Sequence, residues 1–249
     1  MTNIILKEAS WSMLNTFRMC QRKWWYSYIS DVKPQFVPVS LAFGSFVHRG
    51  AEHYYKAIAE GKDTPTPQEL TQIAQGVLDN PEIKYNGKSR EDCLIMANTM
   101  FERLCALEKP VKVLGVEKPV TVEIAPDFKL NCVIDLLTAD REENLCVTDF
   151  KTSAKRLNGE AGTSGQLTTY SLIPELKDAK LKFVVFLKTK ACGIEEIETQ
   201  RNDGQRRQIV QDYLQMKETV ESADCQYPRC PGWMCANCQY AFHCQGGAL

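Results

Sequence analysis

Two apolar runs in the middle of the chain end on charge. Asn131-Cys-Val-Ile-Asp135 ends on an acid, and Val147-Thr-Asp-Phe-Lys151 ends on acid, spacer, lysine. Residues two apart in a strand point to one face, so Asp149 and Lys151 project together. If the runs form a hairpin, Asp135 comes alongside them. Two carboxylates and one ammonium on one edge can hold a divalent cation and position a water. Such a cation lowers the water's pKa and neutralises charge on a phosphate. The lysine can stabilise developing negative charge or orient the nucleophile. Taken alone, an Asp-x-Lys pair is commonplace and usually a solvated strand edge, so neighbouring residues decide the matter.

The 11 cysteines fall into two classes. Cys93, Cys105, Cys132, Cys146 and Cys192 sit singly in apolar, periodic segments and read as small core residues. Cys225, Cys230, Cys235, Cys238 and Cys244 crowd into the last stretch, and Cys20 stands apart near the start. Cys235, Cys238 and Cys244 make a C-x2-C-x5-C array whose thiolates can converge on one centre, with a fourth ligand from elsewhere. Iron–sulfur clusters take four thiolates. Structural zinc takes four ligands from Cys and His, and a zinc site of Cys225, Cys230, Cys235 and Cys238 is the alternative. His243, inside the array, reads as a spacer.

These groups need elements to hold them. Ser10 to Ile29 reads as one helix, capped by Ser10, with Trp11, Leu14, Phe17, Trp24, Trp25 and Tyr28 at helical spacings. A second helix runs from about Ser40 to Glu60. Helical patterning resumes after the turn at Gly61 and continues, with a break near Asn80-Pro81, to about Leu107. At Pro110 the character changes. Val111 to Ile124, Phe128 to Thr138 and Leu145 to Lys151 read as consecutive strands, with Asp140 to Asn144 a polar hairpin turn. Ser164 to Leu176 is a predicted helix. Leu181 to Lys188 is a buried strand, Ile194 to Thr199 its neighbour, and Gln205 to Ser222 a long helix. The expectation is one α/β domain over 1–249. It has a helical region at 1–109, an α/β core at 110–222 and a cysteine-rich tail at 223–249.

Composition sets few limits. The chain has 249 residues and a net charge of -1, so any grip on a phosphate backbone must come from local charge. No apolar run is long enough to span a membrane, and Met1-Thr-Asn-Ile lacks the basic flank of a signal peptide. The expected location is the cytoplasm. There is no Walker lysine motif, so any helicase would be a separate partner.

In order along the chain, five motifs resemble the PD-(D/E)xK nucleases, in the RecB-like branch that includes the AddB nuclease domain and the CRISPR-adaptation nucleases. Ser12-Met-Leu-Asn-Thr-Phe-Arg-Met-Cys20 is similar to the family's opening helix. Gly44-Ser-Phe-Val-His48 matches its GxxxH element and Val133-Ile-Asp135 its first acid. Asp149-Phe-Lys151 matches the acid-x-lysine strand, and Gln166-Leu-Thr-Thr-Tyr170 the QxxxY helix. Trp233, Tyr240 and Phe242 in the tail also resemble the family. Cys132 stands where the family often has glycine, and Asp149 where many relatives have glutamate.

The resemblance implies a restriction-endonuclease-like α/β fold, a central mixed sheet flanked by helices. It implies a DNA nuclease that uses Mg²⁺ or Mn²⁺, more often an exonuclease on single strands or duplex ends. Asp135, Asp149 and His48 would be metal ligands and Lys151 the catalytic lysine. Gln166 and Tyr170, one helical turn apart, would position the lysine or the DNA backbone, and Glu123 could supply an upstream glutamate. Cys20, Cys235, Cys238 and Cys244 would hold a 4Fe–4S cluster stapling the tail to the first helix.

For DNA contact, Lys155 and Arg156 just past the acid-x-lysine strand are the leading candidates. Arg18, Arg22 and Lys23 alternate with aromatics that read as core. Arg201, Arg206 and Arg207 read as a solvated basic patch. The competing readings are a non-catalytic DNA-binding or scaffolding subunit with this fold and a zinc-stabilised interaction module.

Overall fold

The structure is a computed structural model that describes residues 4–222 and 225–246. Positions 1–3, and positions 223, 224 and 247–249 of the expected tail, lie outside the described residues.

The predicted first helix is two. α1 spans Trp11–Met19 and follows a two-residue strand β1, Glu8–Ala9. Ser10 caps it, its side chain accepting from the Met13 amide at 3.3 Å. Cys20 is extended (φ -166°, ψ 111°), and α2, Gln21–Tyr28, begins just after it. Spacing alone could not reveal this break, because the apolar stripe continues through it.

A two-residue strand β2, Val37–Pro38, leads into α3, Val39–Ala59. α4, Pro67–Ala74, and α5, Arg90–Cys105, flank β3, Ile83–Lys84. Both helices open with reciprocal capping boxes, Thr66 with Glu69 and Ser89 with Asp92, which satisfy amides that a helix start leaves without partners.

The long strands are β4, Lys112–Ala125, β5, Phe128–Ala139, and β6, Leu145–Ser153. A short helix α6, Glu160–Thr163, precedes α7, Gly165–Tyr170, which ends well before Leu176. β7, Lys180–Leu187, β8, Ile194–Thr199, α8, Asp203–Glu221, and α9, Ala241–Cys244, complete the order.

The sheet is mixed. β4–β5, β5–β6 and β7–β8 are antiparallel, whereas β6 and β7 run parallel. The parallel pair needs a crossover, and that crossover contains α6 and α7. β1 and β6 share one edge of β5, β1 at Lys129–Leu130 and β6 at Leu136–Ala139. The period of two sorts the side chains of β7. Val184 and Phe186 join the core built by α3, α4 and α5, while Phe183, Val185 and Leu187 join the core under α7. A third core packs Trp24, Phe17, Tyr213, Met216 and Tyr227 around Phe128 and Leu130. Helices thus cover both faces of a central mixed sheet, the architecture the motifs imply. Among the described residues no helix is long and apolar enough to cross a membrane.

Candidate metal centre and cysteine cavity

The hairpin of β5 and β6 brings the two acids together. Asp135 is buried on β5, and its Oδ2 accepts from the Phe150 amide at 2.8 Å. Asp149 is fully buried on β6. Its Oδ2 makes no well-angled hydrogen bond and meets the Lys151 ammonium at 2.6 Å. Lys151 Nζ also donates to Gln166 Oε1 at 2.6 Å. Gln166 Nε2 donates in turn to the Tyr170 hydroxyl at 2.8 Å. That hydroxyl lies 2.9 Å from the Val133 carbonyl and 3.3 Å from Asp149 Oδ1, and its one proton can serve only one of them. The lysine, glutamine and tyrosine therefore form a chain that ends between the Val133 carbonyl and the second acid.

His48 enters from α3. Its Nδ1 is 3.4 Å from Asp135 Oδ2, and its ring stands edge-on to Phe150. α3 can approach closely because Gly50 faces α5; a Cβ there would lie 2.1 Å from the Phe101 ring.

A fourth group joins them that the sequence did not single out. His48, Glu117 and Asp135 offer ligand atoms all within 4.8 Å of one another, the one such group among the described residues. Val116 pairs with Leu136 and Lys118 with Ile134, which brings Glu117 opposite Asp135. Glu117 holds a left-handed φ of 48°, a conformation that non-glycine residues rarely adopt and that clusters at functional sites. Glu123, the expected glutamate, instead pairs with Lys129 far along the ladder and is exposed. Counting back from the Ala125–Phe128 pair at the turn would place Lys118 opposite Asp135; an irregularity between Glu123 and Ala125 shifts the ladder by one and brings Glu117 there instead. Residue type alone could not separate the two glutamates.

The electrostatics suit a cation. Burial first, and then Asp149, push the Asp135 carboxyl up to about 7. Burial, with Asp135 next, raises Glu117 as well. Burial lowers His48, more than Asp149 opposes it, which favours the neutral imidazole that metals bind. Burial and Asp149 hold the Tyr170 phenol far above its ordinary range, so it stays protonated. Crowded carboxylates that resist ionisation together are what a divalent ion relieves. The donor set of one imidazole and several carboxylate oxygens suits a divalent cation. The cleft above, of about 830 Å³, is lined by Ser12, Gly44, Ser45, His48, Glu117, Lys151 and Gln166 among others.

At the other end of α1 a cavity of about 310 Å³ is lined by Cys20, Cys230, Cys235, Cys238 and Cys244, with Arg22 and Arg229. Burial raises the Cys244 thiol, Arg229 opposes this, and Cys20 and Cys238 are close enough to raise it further. The tail is docked to α2. The Arg22 amide donates to the Pro228 carbonyl at 3.1 Å, and Tyr26 stacks on Tyr240. Cys225 does not line the cavity and packs into the third core. Arg22, which lines this cavity, has its Nε buried without a hydrogen-bond partner. The donor set fits a thiolate-bound group.

The basic candidates separate. Lys155 and Arg156 are exposed past β6, Arg156 pairing with Glu195 at 2.9 Å. Arg18 pairs with Asp212. Arg207 is exposed, whereas Arg201 is buried and Arg206 is largely committed to backbone carbonyls, correcting the expectation of a solvated patch. Trp24 is fully buried, stacked on Tyr227, so it packs the core.

A solved structure from Eubacterium rectale, described as a candidate exonuclease, is similar to this chain. It has a TM-score of 0.54 and 15% identity, covering 91% of this chain and 90% of that one. A crystal structure of SSO0001 has a TM-score of 0.39 and 14% identity over 96% of each chain. No curated protein matches the chain. A sequence model of the PD-(D/E)XK nuclease superfamily matches residues 8–245, a span that includes His48, both acids, Lys151 and all the tail cysteines. On that match, the chain belongs to the PD-(D/E)XK nuclease superfamily.

Proposed function

We propose that the protein is a Mg²⁺- or Mn²⁺-dependent deoxyribonuclease, an exonuclease acting on single strands or DNA ends. The observation that carries this reading is the meeting of His48, Glu117 and Asp135 within 4.8 Å, beside an Asp149–Lys151 pair at 2.6 Å. Membership of a nuclease superfamily supports the reaction class. The choice of exonuclease rests on the motif resemblance, and the Eubacterium rectale protein described as a candidate exonuclease shares the fold.

Asp135, Asp149, Glu117 and His48 would hold the divalent ion. Bound there, the ion lowers the pKa of a water and offsets phosphate charge. The chain's own residues do the remaining work. Lys151 presents a cation beside the acids, where it stabilises the charge that develops on the attacked phosphate. Gln166 holds that ammonium by its Oε1. Tyr170, kept protonated, anchors Gln166 by accepting from its Nε2. Burial of Asp149 keeps bulk water from competing for its oxygens.

Cys20, Cys235, Cys238 and Cys244 would hold a 4Fe–4S cluster that fastens the tail to the α1–α2 junction. The shared cavity, which Cys225 does not line, supports this set over one that includes Cys225. Digestion of end-labelled single- and double-stranded DNA, with EDTA, Mg²⁺ or Mn²⁺, tests the activity. Metal-dependent loss of nucleotides from an end is expected. The absence of cleavage with either metal would overturn the reading in favour of a DNA-binding scaffold.

A further inference from the structure

Arg201 follows β8 and is buried. A buried cation ordinarily pairs with a carboxylate, because an isolated charge is costly to remove from water. Arg201 is met by five neutral oxygens, one for each of its N–H groups. Nε donates to Thr168 Oγ1 at 2.7 Å. Nη1 donates to Thr199 Oγ1 and to the Gln200 carbonyl, both at 2.9 Å. Nη2 donates to the carbonyls of Ala161 at 2.6 Å and Ser164 at 3.2 Å. Burial and nearby Arg206 both disfavour the charge, so the fold keeps a cation here at a cost.

Three of the five acceptors lie where α6 gives way to α7. Ala161 is in α6, Ser164 is the N-cap of α7, and Thr168 is inside α7. α7 has six residues, too few to hold itself as an isolated helix. Yet it carries Gln166 and Tyr170, with Thr168 midway between them. We infer that Arg201 is a positioning residue for the nuclease reaction: it pins α7 where Gln166 can hold Lys151, and it acts through Gln166. This rests on the role proposed above for Lys151. The planar fork supplies the geometry, and lysine, with three donors on one atom, cannot replace it. Gln205 and Arg206 secure the flanks, through the Gly162 carbonyl at 3.0 Å and the Lys177 carbonyl at 2.7 Å.

The test combines Arg201→Lys, Arg201→Met and Thr168→Val with Gln166→Ala. Thr168→Val removes one acceptor, keeps the shape and covers the case in which Arg201→Met does not fold. Amide hydrogen exchange over residues 161–170 should quicken in each variant, while that of α3 and β5 stays as in the wild type. In DNA cleavage with Mn²⁺, kcat of Arg201→Lys should fall by roughly ten- to a hundred-fold, the scale of a displaced active-site group. KM for DNA and Mn²⁺ affinity should stay within about two-fold, because in this inference α7 supplies no metal ligand and positions Lys151 rather than the DNA. Added to Gln166→Ala, Arg201→Lys should cost almost nothing further, since the two act in one path. Losses that multiply, full activity of Arg201→Lys, or unchanged exchange over 161–170 would each overturn the inference. A wild-type protein that cuts no DNA sinks the proposed function instead, and the exchange data then decide by themselves whether Arg201 holds α7.

Discussion

Lys151 and the acids beside it have separable tasks. The acids supply the charge that holds an ion, and the lysine should not bind it. Lys151→Ala should therefore lower cleavage by roughly a hundred-fold or more, the scale of one lost acid–base or electrostatic group. Its Mn²⁺ affinity, read by calorimetric titration, should be kept or improved, because a nearby cation repels the ion. Asp135→Ala and Asp149→Ala should lose both binding and cleavage. Full cleavage by Lys151→Ala would remove the acid-x-lysine strand from the reaction. The two glutamates of β4 give a sharper contrast. Glu117→Gln should weaken Mn²⁺ binding and shift half-maximal activity to higher Mn²⁺. Glu123→Gln, at an exposed position opposite Lys129, should leave both unchanged. Equal effects of the two would show that the ladder register does not select the ligand.

Two elements deliver these side chains, and both are fixed by close contacts. α7 rests against α1 at Gly165, where a Cβ would lie 2.1 Å from the Trp11 ring. Gly165→Ala should therefore destabilise the protein by about 1–3 kcal/mol, as overpacking does. Trp11→Leu in the same chain should restore part of the loss, read as urea midpoints. No loss in Gly165→Ala would mean that α7 and α1 are not in contact. The break between α1 and α2 delivers Cys20 to the tail. If Cys20, Cys235, Cys238 and Cys244 hold a cluster, anaerobically purified protein should be brown with about four irons per chain. Cys20→Ser should bleach it and lower stability as much as Cys244→Ser, because each opens a loop that spans nearly the whole chain. Cys225→Ser should keep the colour. Colourless protein with one stoichiometric zinc would replace the cluster by a structural zinc site.

At the scale of the whole molecule, the buried acids couple folding to pH. The folded-state pKa of Asp135, about 7, lies above the roughly 3.9 of an unfolded chain. The folded state therefore binds the proton more tightly. The stability this group contributes is complete below about pH 4 and is lost as pH rises through 7. Glu117 is shifted in the same direction, while the lowered His48 works in the opposite sense near its own titration. Metal-free protein should thus lose melting temperature relative to Asp135→Asn between pH 5 and pH 8. Binding an ion needs carboxylates and a neutral imidazole, so the rise in melting temperature with Mn²⁺ should be larger at pH 8 than at pH 5. A Mn²⁺ effect that does not change with pH would mean that the ion binds away from Asp135 and His48.

The elements and the motif residues were legible because they obey local rules. Apolar runs bounded by turn residues marked β5 to β7, Ser10 marked the first helix start, and the order of the motifs singled out His48, Asp135, Asp149, Lys151, Gln166 and Tyr170, which the fold then brings together. What the sequence by itself determined was which side chains share an element face, since periods of 2 and 3.6 follow from the backbone alone. Contacts between elements were decided by tertiary structure. Glu117 opposes Asp135 because of a ladder register, and a left-handed residue in β4 leaves no reliable mark on composition. Cys20 is freed by a helix break that interrupts no apolar stripe. Arg201 reads as a surface charge, because three of the five oxygens that receive it come from Ala161, Ser164 and Thr168, far back in the chain. Registers, breaks and buried charges depend on partners distant in the chain, and those partners meet only when the sheet and its crossover have packed.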